Sequence, residues 1–247
     1  MTMKTIAPLL RAAALTFAIA TACAARDAGA ATLQVSPVGL DIAAPGNAGS
    51  VRVTNRGTEA LNLQLRLFQW AEDKGQETMT ATEAVIVSPP AARLEPGQTY
   101  TVRVLRLSKA APIREEAYRL LIDELPTPVD PRTASPGVRI VTRTSLPVFF
   151  SPAKAVPAVT WGITCEGSAI RVRGDNAGIR HAQVQAMTLT TDTGAAIASG
   201  PLNEYLLAGS MAIVTLPLGD APCPARAMLA GVTNAGPFQQ GLPAGQR

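Results

Sequence analysis

Apolar and polar residues alternate at period two in short runs along most of this chain, and amphipathic helical stretches are scarce. Turn residues, mainly Gly, Pro, Asn and Asp, separate the runs. Seven such runs in about 120 residues predict an immunoglobulin-like sandwich. The runs are Leu33–Ile42, Ser50–Asn55, Leu61–Trp70, Glu83–Pro90, Thr99–Leu107, Glu116–Pro126 and Val138–Pro152.

After Pro152 the composition changes to a short, stiff linker, AKAVPAV, and weaker strand-like runs follow it. The sequence therefore predicts an all-β protein with two immunoglobulin-like β-sandwich domains, residues 31–152 and 153–247. Because only a few residues join them, an angled (boomerang) arrangement with a cleft between the domains is expected. The Gly-, Pro- and Gln-rich stretch from Gly236 is predicted to fray.

Residues 1–30 have the features of a secretory signal peptide. Lys4 and Arg11 precede a short apolar core, and small residues then supply cleavage sites. Cys23 raises the alternative of a lipoprotein, but Ala20 stands where a large aliphatic residue is wanted. Since no second long apolar run occurs, we expect export without membrane insertion.

Composition and motifs exclude several functions. The net charge of +4 comes from dispersed basic residues, and aromatic residues make up 4% of the chain, which argues against a nucleic-acid partner. A lone histidine, His181, and no Cys-x-x-Cys pair predict no metal site. The adjacent carboxylates Glu115/Glu116 and Asp123/Glu124 point to opposite faces of a strand. We therefore expect no enzymatic activity and no cofactor.

Two cysteines, Cys165 and Cys223, remain after the signal peptide. In an exported chain an even pair predicts one disulfide, which would lie within the second domain. Two buried free thiols are the alternative.

The run Val138–Pro152 is long for a single strand, since strands usually contain about five or six residues. Val138, Ile140, Leu146 and Val148 share one of its faces. It is either a long core strand or a strand that pairs with another chain, where main-chain hydrogen bonds give affinity and alternate side chains give specificity.

Arg119 and Arg143 stand within apolar runs that are consecutive in sequence. Consecutive strands usually lie side by side, and two neighbouring guanidiniums repel unless an anion joins them. A carboxylate would fit such a pair well. The alternative is that both decorate the solvent face, as we expect for Arg103 and Arg106.

Together these segments resemble the periplasmic pilus-assembly chaperones, the PapD-like family. The resemblance covers nearly all of the mature chain and rests on the order and spacing of its motifs. It is carried by VSPPAARLEPGQTYTVRV (Val87–Val104), EEAYRLLIDELP (Glu115–Pro126), VRIVTRTSLPVFFSP (Val138–Pro152) and NEYLLAGS (Asn203–Ser210). The last of these is similar to the archaic, spore-coat-U-type branch.

The resemblance implies that this is a periplasmic chaperone that binds and folds pilus or fimbrial subunits by donor-strand complementation and delivers them to an outer-membrane usher. The seventh strand would enter the groove of a subunit that lacks its own last strand. The inserted residues would be Val138, Ile140 and Thr142, with Leu146 adding to them. Basic residues in the interdomain cleft would anchor the subunit's C-terminal carboxylate.

The sequence departs from the family at this anchor. Pro147 corresponds to the usual seventh-strand lysine, and the first strand offers Pro37, Val38 and Gly39 where an arginine is usual. Arg119 and Arg143 are therefore the candidate anchor. The rival is a secreted two-domain adhesin or pilus subunit, but a pilin would carry a donor extension and one incomplete domain. A hydrolase would lack a base.

Overall fold

A computed structural model describes residues 33–73, 76–126, 141–191, 194–218 and 223–243. Within these ranges the protein has seventeen β-strands and no helix, and so no helix that could cross a membrane. The first sandwich contains β1 (Leu33–Ser36), β2 (Leu40–Ala43), β3 (Ala48–Asn55), β4 (Leu61–Asp73), β5 (Gln76–Ala81), β6 (Val85–Ser88), β7 (Ala91–Leu94), β8 (Thr99–Arg106), β9 (Glu116–Leu125) and β10 (Arg143–Ser151). The second contains β11 (Val159–Glu166), β12 (Ala169–Asn176), β13 (Ala182–Thr191), β14 (Ala196–Leu206), β15 (Met211–Pro217), β16 (Arg226–Thr233) and β17 (Gly236–Pro243).

Two sheets form the first sandwich. One has the strand order β1-β3-β8-β6; the other has β2-β10-β9-β4-β5, with β7 also pairing with β4. Alternation along each strand sends one set of side chains inward, as in β4, where Leu61, Leu63, Leu65 and Leu67 are buried. The outer face of the second sheet carries the intervening residues of β4, β9 and β10.

β10 is only partly paired on one of its edges. It pairs antiparallel with β9 from Arg143 to Phe150. On the other side it pairs in parallel with β2, and only from Val148 to Ser151. In the part of the chain that the structure describes, no strand covers that edge from Arg143 to Pro147.

The second sandwich packs the sheet β11-β12-β15 against the sheet β14-β13-β16-β17 around its own core. Cys165 on β11 is joined to Cys223 by a disulfide, so these cysteines are not free thiols. The prediction of a frayed C-terminal stretch was wrong. Gly236–Pro243 forms β17, which pairs with β16 along its length, and its Phe238 stacks on Trp161 with ring centroids 5.1 Å apart.

A buried asparagine ends the corresponding strand in each sandwich. In the second, Asn176 donates to the carbonyls of Arg180, Leu206 and Leu207 and accepts from the N–H groups of Ala158 and Gly178. Asn55 makes the same kind of contact with the turn that follows β3. Because unpaired buried backbone groups are costly, these side chains fix the turns.

Arg106 was predicted to face solvent, and this was wrong. Its side chain is 9% exposed, and Nε and Nη2 each donate to one oxygen of Glu116, both at 2.7 Å. Nη1 donates to the carbonyls of Ser108 and Ala110. The hydrogen bonds from Arg106 to Glu116 hold the pKa of Glu116 below its ordinary 4.5, although burial opposes the shift.

The Arg106–Glu116 pair predicts a loss of stability in acid. Because the pKa of Glu116 is lower in the folded protein, its contribution is complete above pH 4.5 and is lost as pH falls through the folded-state value. We expect Glu116→Gln to remove about 1–2 kcal/mol at pH 7, towards the lower end of the range for hydrogen bonds to charged groups, because a third of the Glu116 side chain is exposed and screened by water. The free energy of unfolding, measured in urea at several pH values, should therefore fall less between pH 7 and pH 3 for the variant than for the unaltered chain. An equal fall for the two proteins would contradict this role of Glu116.

Candidate functional site

The direction of the main-chain groups along β10 follows from its two flanking contacts. The Thr142 carbonyl accepts a hydrogen bond from the Glu124 N–H at 3.0 Å, towards β9. The Ser151 carbonyl accepts one from the Ala44 N–H at 2.9 Å, towards β2. Main-chain groups alternate in direction along a strand, so even-numbered residues bond to β9 and odd-numbered residues face the other edge.

Arg143 and Ser145 consequently present their N–H and C=O groups at the uncovered edge. Pro147, the next odd-numbered residue, has no N–H to offer, and edge positions are where a sheet tolerates proline. Such a row of main-chain donors and acceptors can pair with an added strand from another chain.

On the core-facing side of β10, the side chains from Leu146 onward are buried, whereas Thr142, just before the strand begins, is exposed. Leu146 is 2% exposed and packs in the core with Val148 and Phe150. Its predicted role as a donor residue is therefore corrected: the side chain already fills the sandwich. Thr142, on the same alternating face, is exposed, whereas Val138 and Ile140 lie outside the described residues.

Arg119 and Arg143 lie on paired strands but do not come together. The register sets Arg119 opposite Pro147 and Arg143 opposite Asp123. The two arginines are therefore four positions apart along the sheet, roughly 13 Å at the rise of a strand. This corrects the expectation of two adjacent guanidiniums that share one carboxylate.

Arg143 already has a carboxylate partner within the first sandwich. Its Nε donates to Oδ1 of the buried Asp123, and Arg66 Nη2 donates to Oδ2 at 2.6 Å. Burial raises the pKa of Asp123, but the hydrogen bonds from Arg143 and Arg66 outweigh it and hold the pKa below its ordinary value.

Arg119 instead lies where the two domains meet. Its guanidinium stacks on Trp70, 3.6 Å from the ring centroid, and lies 5.7 Å from the ring of Tyr205 in the second sandwich. Nε and Nη2 donate to the same oxygen of Glu77, at 3.1 and 2.9 Å. The side chain of Arg119 is 16% exposed and that of Glu77 50%.

Two further carboxylates, Glu72 and Glu204, lie near Glu77. Burial raises the pKa of Glu204, and the charge of Glu77 raises it further. Burial also raises the pKa of Glu72, against the opposing hydrogen bond from the Ser210 hydroxyl at 2.9 Å. Both shifts reflect an acidic, partly dehydrated environment around Glu77.

An apolar cluster holds the domains together beneath Arg119. Trp70 and Phe149 from the first sandwich pack with Leu207 and Tyr205 of the second. The rings of Trp70 and Tyr205 meet edge to face with centroids 5.3 Å apart. This cluster could not be predicted from the sequence, because an aromatic residue within a strand can equally belong to the core of its own domain.

The single histidine belongs to the same interface. His181 stacks on Phe149 at 3.8 Å, and both its main-chain N–H and its Nδ1 contact Glu115 Oε1, at 2.8 and 2.9 Å. It is 4% exposed, so it packs between the two domains and is closed to solvent. Among the described residues, no group of three or more metal-ligating side chains occurs.

The model of the pili and flagellar-assembly chaperones, PapD N-terminal domain, matches residues 32–156. The chain belongs to this family. The expected resemblance is thereby confirmed, and the protein is a pilus-assembly chaperone rather than a member of an enzyme family. None of the curated proteins matches the sequence.

Solved structures share the fold of this chaperone. The CsuC–CsuE chaperone–tip adhesion subunit pre-assembly complex, from archaic Csu pili of Acinetobacter baumannii, contains a chain with a TM-score of 0.64 and 21% identity over 87% of this chain and 100% of that one. A chain of the Salmonella enterica SafA pilin–SafB chaperone complex matches with a TM-score of 0.56 and 18% identity over 84% of this chain and 95% of that one. The E. coli chaperone DraB matches with a TM-score of 0.55 and 18% identity over 84% of this chain and 97% of that one. These matches confirm the all-β class with two immunoglobulin-like domains.

Proposed function

We propose that this protein is a periplasmic chaperone that binds and folds fimbrial subunits by donor-strand complementation and delivers them to an outer-membrane usher. The observation that carries the proposal is the uncovered β10 edge from Arg143 to Pro147, at the end of an alternating apolar run. Residues 1–30 would direct export, and residues 31–152 and 153–247 would form the two domains.

In this proposal the residues that precede β10 enter the groove of the subunit. Val138, Ile140 and Thr142 fall on the alternating face that continues into the core at Leu146. Apolar side chains at alternate positions would replace those of the missing subunit strand, while the main chain of β10 would pair with the neighbouring subunit strand.

We further propose Arg119 as the anchor of the subunit's C-terminal carboxylate. Arg119 is the cross-strand partner of Pro147, which stands in the place of the family's usual lysine. A Cβ on Gly39 would lie 3.1 Å from the Pro147 ring, so the first-strand position is also adjacent. Arg119 therefore brings a guanidinium to the region where both usual cations are missing. Arg143, paired with Asp123, is no longer part of the proposed anchor.

Capture from periplasm tests the proposal as a whole. The tagged mature chain, expressed in its native host, should retain proteins that mass spectrometry identifies as pilins with an incomplete sandwich and no last strand. A captured subunit then serves as the probe for binding measurements. Recovery of complete, already assembled sandwich proteins would favour a structural role and would contradict a chaperone.

A proline substitution at the uncovered edge tests strand addition directly. We expect Ser145→Pro to weaken subunit binding by about 3- to 10-fold, because one main-chain donor at the edge is lost. Thermal stability should change little, since that N–H does not bond to β9. Thr144→Pro is the matched control: its N–H faces β9, so this variant should destabilise the fold. Unchanged subunit binding by a folded Ser145→Pro variant would exclude pairing at this edge.

A further inference from the structure

In the free protein Glu77 accepts hydrogen bonds from Arg119, the residue that the proposed function assigns to the subunit's carboxylate. Nε and Nη2 of Arg119 both donate to Glu77 Oε1, at 3.1 and 2.9 Å. Glu77 lies on β5, the exposed strand that pairs with the end of β4. The free protein therefore already presents one carboxylate to Arg119, and this carboxylate is its own.

This contact is weaker than the one a C-terminal carboxylate could make. Only one oxygen of Glu77 receives the two hydrogen bonds, whereas a bidentate pair places a separate oxygen on each donor. Half of the Glu77 side chain is exposed, so its charge can turn into water without opening a cavity. Arg119 is held more firmly, because it is stacked on Trp70 at 3.6 Å.

The surrounding charges favour exchange over addition. Glu72 lies directly opposite Glu77 in the β4–β5 pairing, and the charge of Glu77 also acts on Glu204. A further carboxylate added beside Glu77 would be repelled by it, because the charge of Glu77 already raises the pKa of both Glu72 and Glu204. Replacement of Glu77 by the incoming carboxylate leaves Arg119 with one carboxylate partner, and the displaced charge of Glu77 is hydrated.

We propose that Glu77 is a built-in substitute for the subunit's C-terminal carboxylate, which occupies Arg119 in the free chaperone and is displaced when a subunit binds. This inference rests on the proposed function of Arg119 as the anchor. Glu77 thereby holds the guanidinium in place before binding. An incoming ligand displaces Glu77 only if it binds Arg119 more strongly, as a well-placed terminal carboxylate does. A ligand without that carboxylate gains nothing from the exchange.

Two synthetic peptides test the displacement. The probe is a fluorescein-labelled Thr-Val-Thr-Val-Thr-Val peptide with a free C-terminal carboxylate, compared with its C-terminal amide. Fluorescence anisotropy gives the affinity ratio of carboxylate to amide for each variant of the mature chain. We expect Glu77→Gln to raise this ratio by about 2- to 5-fold, because ion pairs with a half-exposed partner are weak. Glu95→Gln, which removes an exposed partner of Arg93, is the matched control and should leave the ratio unchanged.

The outcomes separate this inference from the proposed function. A ratio for Glu77→Gln that is equal to or below that of the unaltered chain overturns the displacement, including the case in which neither peptide is preferred. Arg119→Ala should bring the ratio to one in both backgrounds. A raised ratio that survives in the Arg119→Ala, Glu77→Gln double variant overturns it too, since Glu77 would then act elsewhere. Failure of the proposed function is a different result: no pilin is captured from periplasm by the unaltered chain.

Discussion

Replacing Ile140 by aspartate is expected to abolish most subunit binding while the free protein still folds. Alternation counted back from the buried Leu146 assigns Ile140 to the face that enters the subunit groove. A charge in that apolar groove finds no partner, and burying an unpaired polar or charged group costs several kcal/mol. We therefore expect a loss of affinity of about 100-fold or more, measured by titration of a captured subunit.

Val141→Asp is the control, because it introduces the same charge one residue away. Val141 is 50% exposed and belongs to the opposite face by the same alternation. We expect this variant to bind the subunit nearly as well as the unaltered chain, and both variants to keep the same thermal midpoint. Equal binding by Ile140→Asp and the unaltered chain would show that this strand does not enter the groove.

The strands that could be predicted from sequence are those with one buried face. Burial of alternate residues leaves a period of two in the sequence, as in β4 and in Val51 and Val53 of β3. β5 is absent from the strands that the sequence predicts, because all six of its residues are exposed and carry no such period. β17 was missed for another reason: its Gly, Pro and Gln content hides a strand that tertiary pairing and Phe238 stabilise.

The candidate site could be predicted only in its components. The strands of Arg119 and Arg143 are indeed neighbours, but proximity depends on register, which the sequence of either strand does not specify. The partners that distinguish the two arginines come from elsewhere in the chain. Glu77 lies 42 residues before Arg119, on a strand that was not predicted, and Tyr205 belongs to the other domain. The length of the run Val138–Pro152 left a core strand and strand addition as alternatives, and the uncovered edge of β10 follows only from the strand order of the sheet.

Removal of the Arg119 guanidinium should weaken subunit binding by about 1.5–3 kcal/mol, the range for hydrogen bonds to a charged group. This corresponds to roughly a 10- to 150-fold loss in affinity. Arg119 also covers Trp70 between the domains, so Arg119→Ala should lower stability as well, because arginine contributes packing in addition to charge. Binding must therefore be measured well below the thermal midpoint of the variant.

Arg119→Lys separates the two roles of Arg119, which are binding of the carboxylate and packing on Trp70. A lysine keeps the charge and much of the apolar stem, but an ammonium cannot supply two parallel hydrogen bonds to one carboxylate. We expect it to recover most of the stability and only part of the affinity. Arg143→Ala and Arg103→Ala should both bind the subunit normally, because Arg143 serves Asp123 and Arg103 is exposed on β8. Equal affinity for Arg119→Ala and Arg103→Ala would exclude Arg119 as the anchor, and a selective loss at Arg143→Ala would transfer that role to the far end of β10.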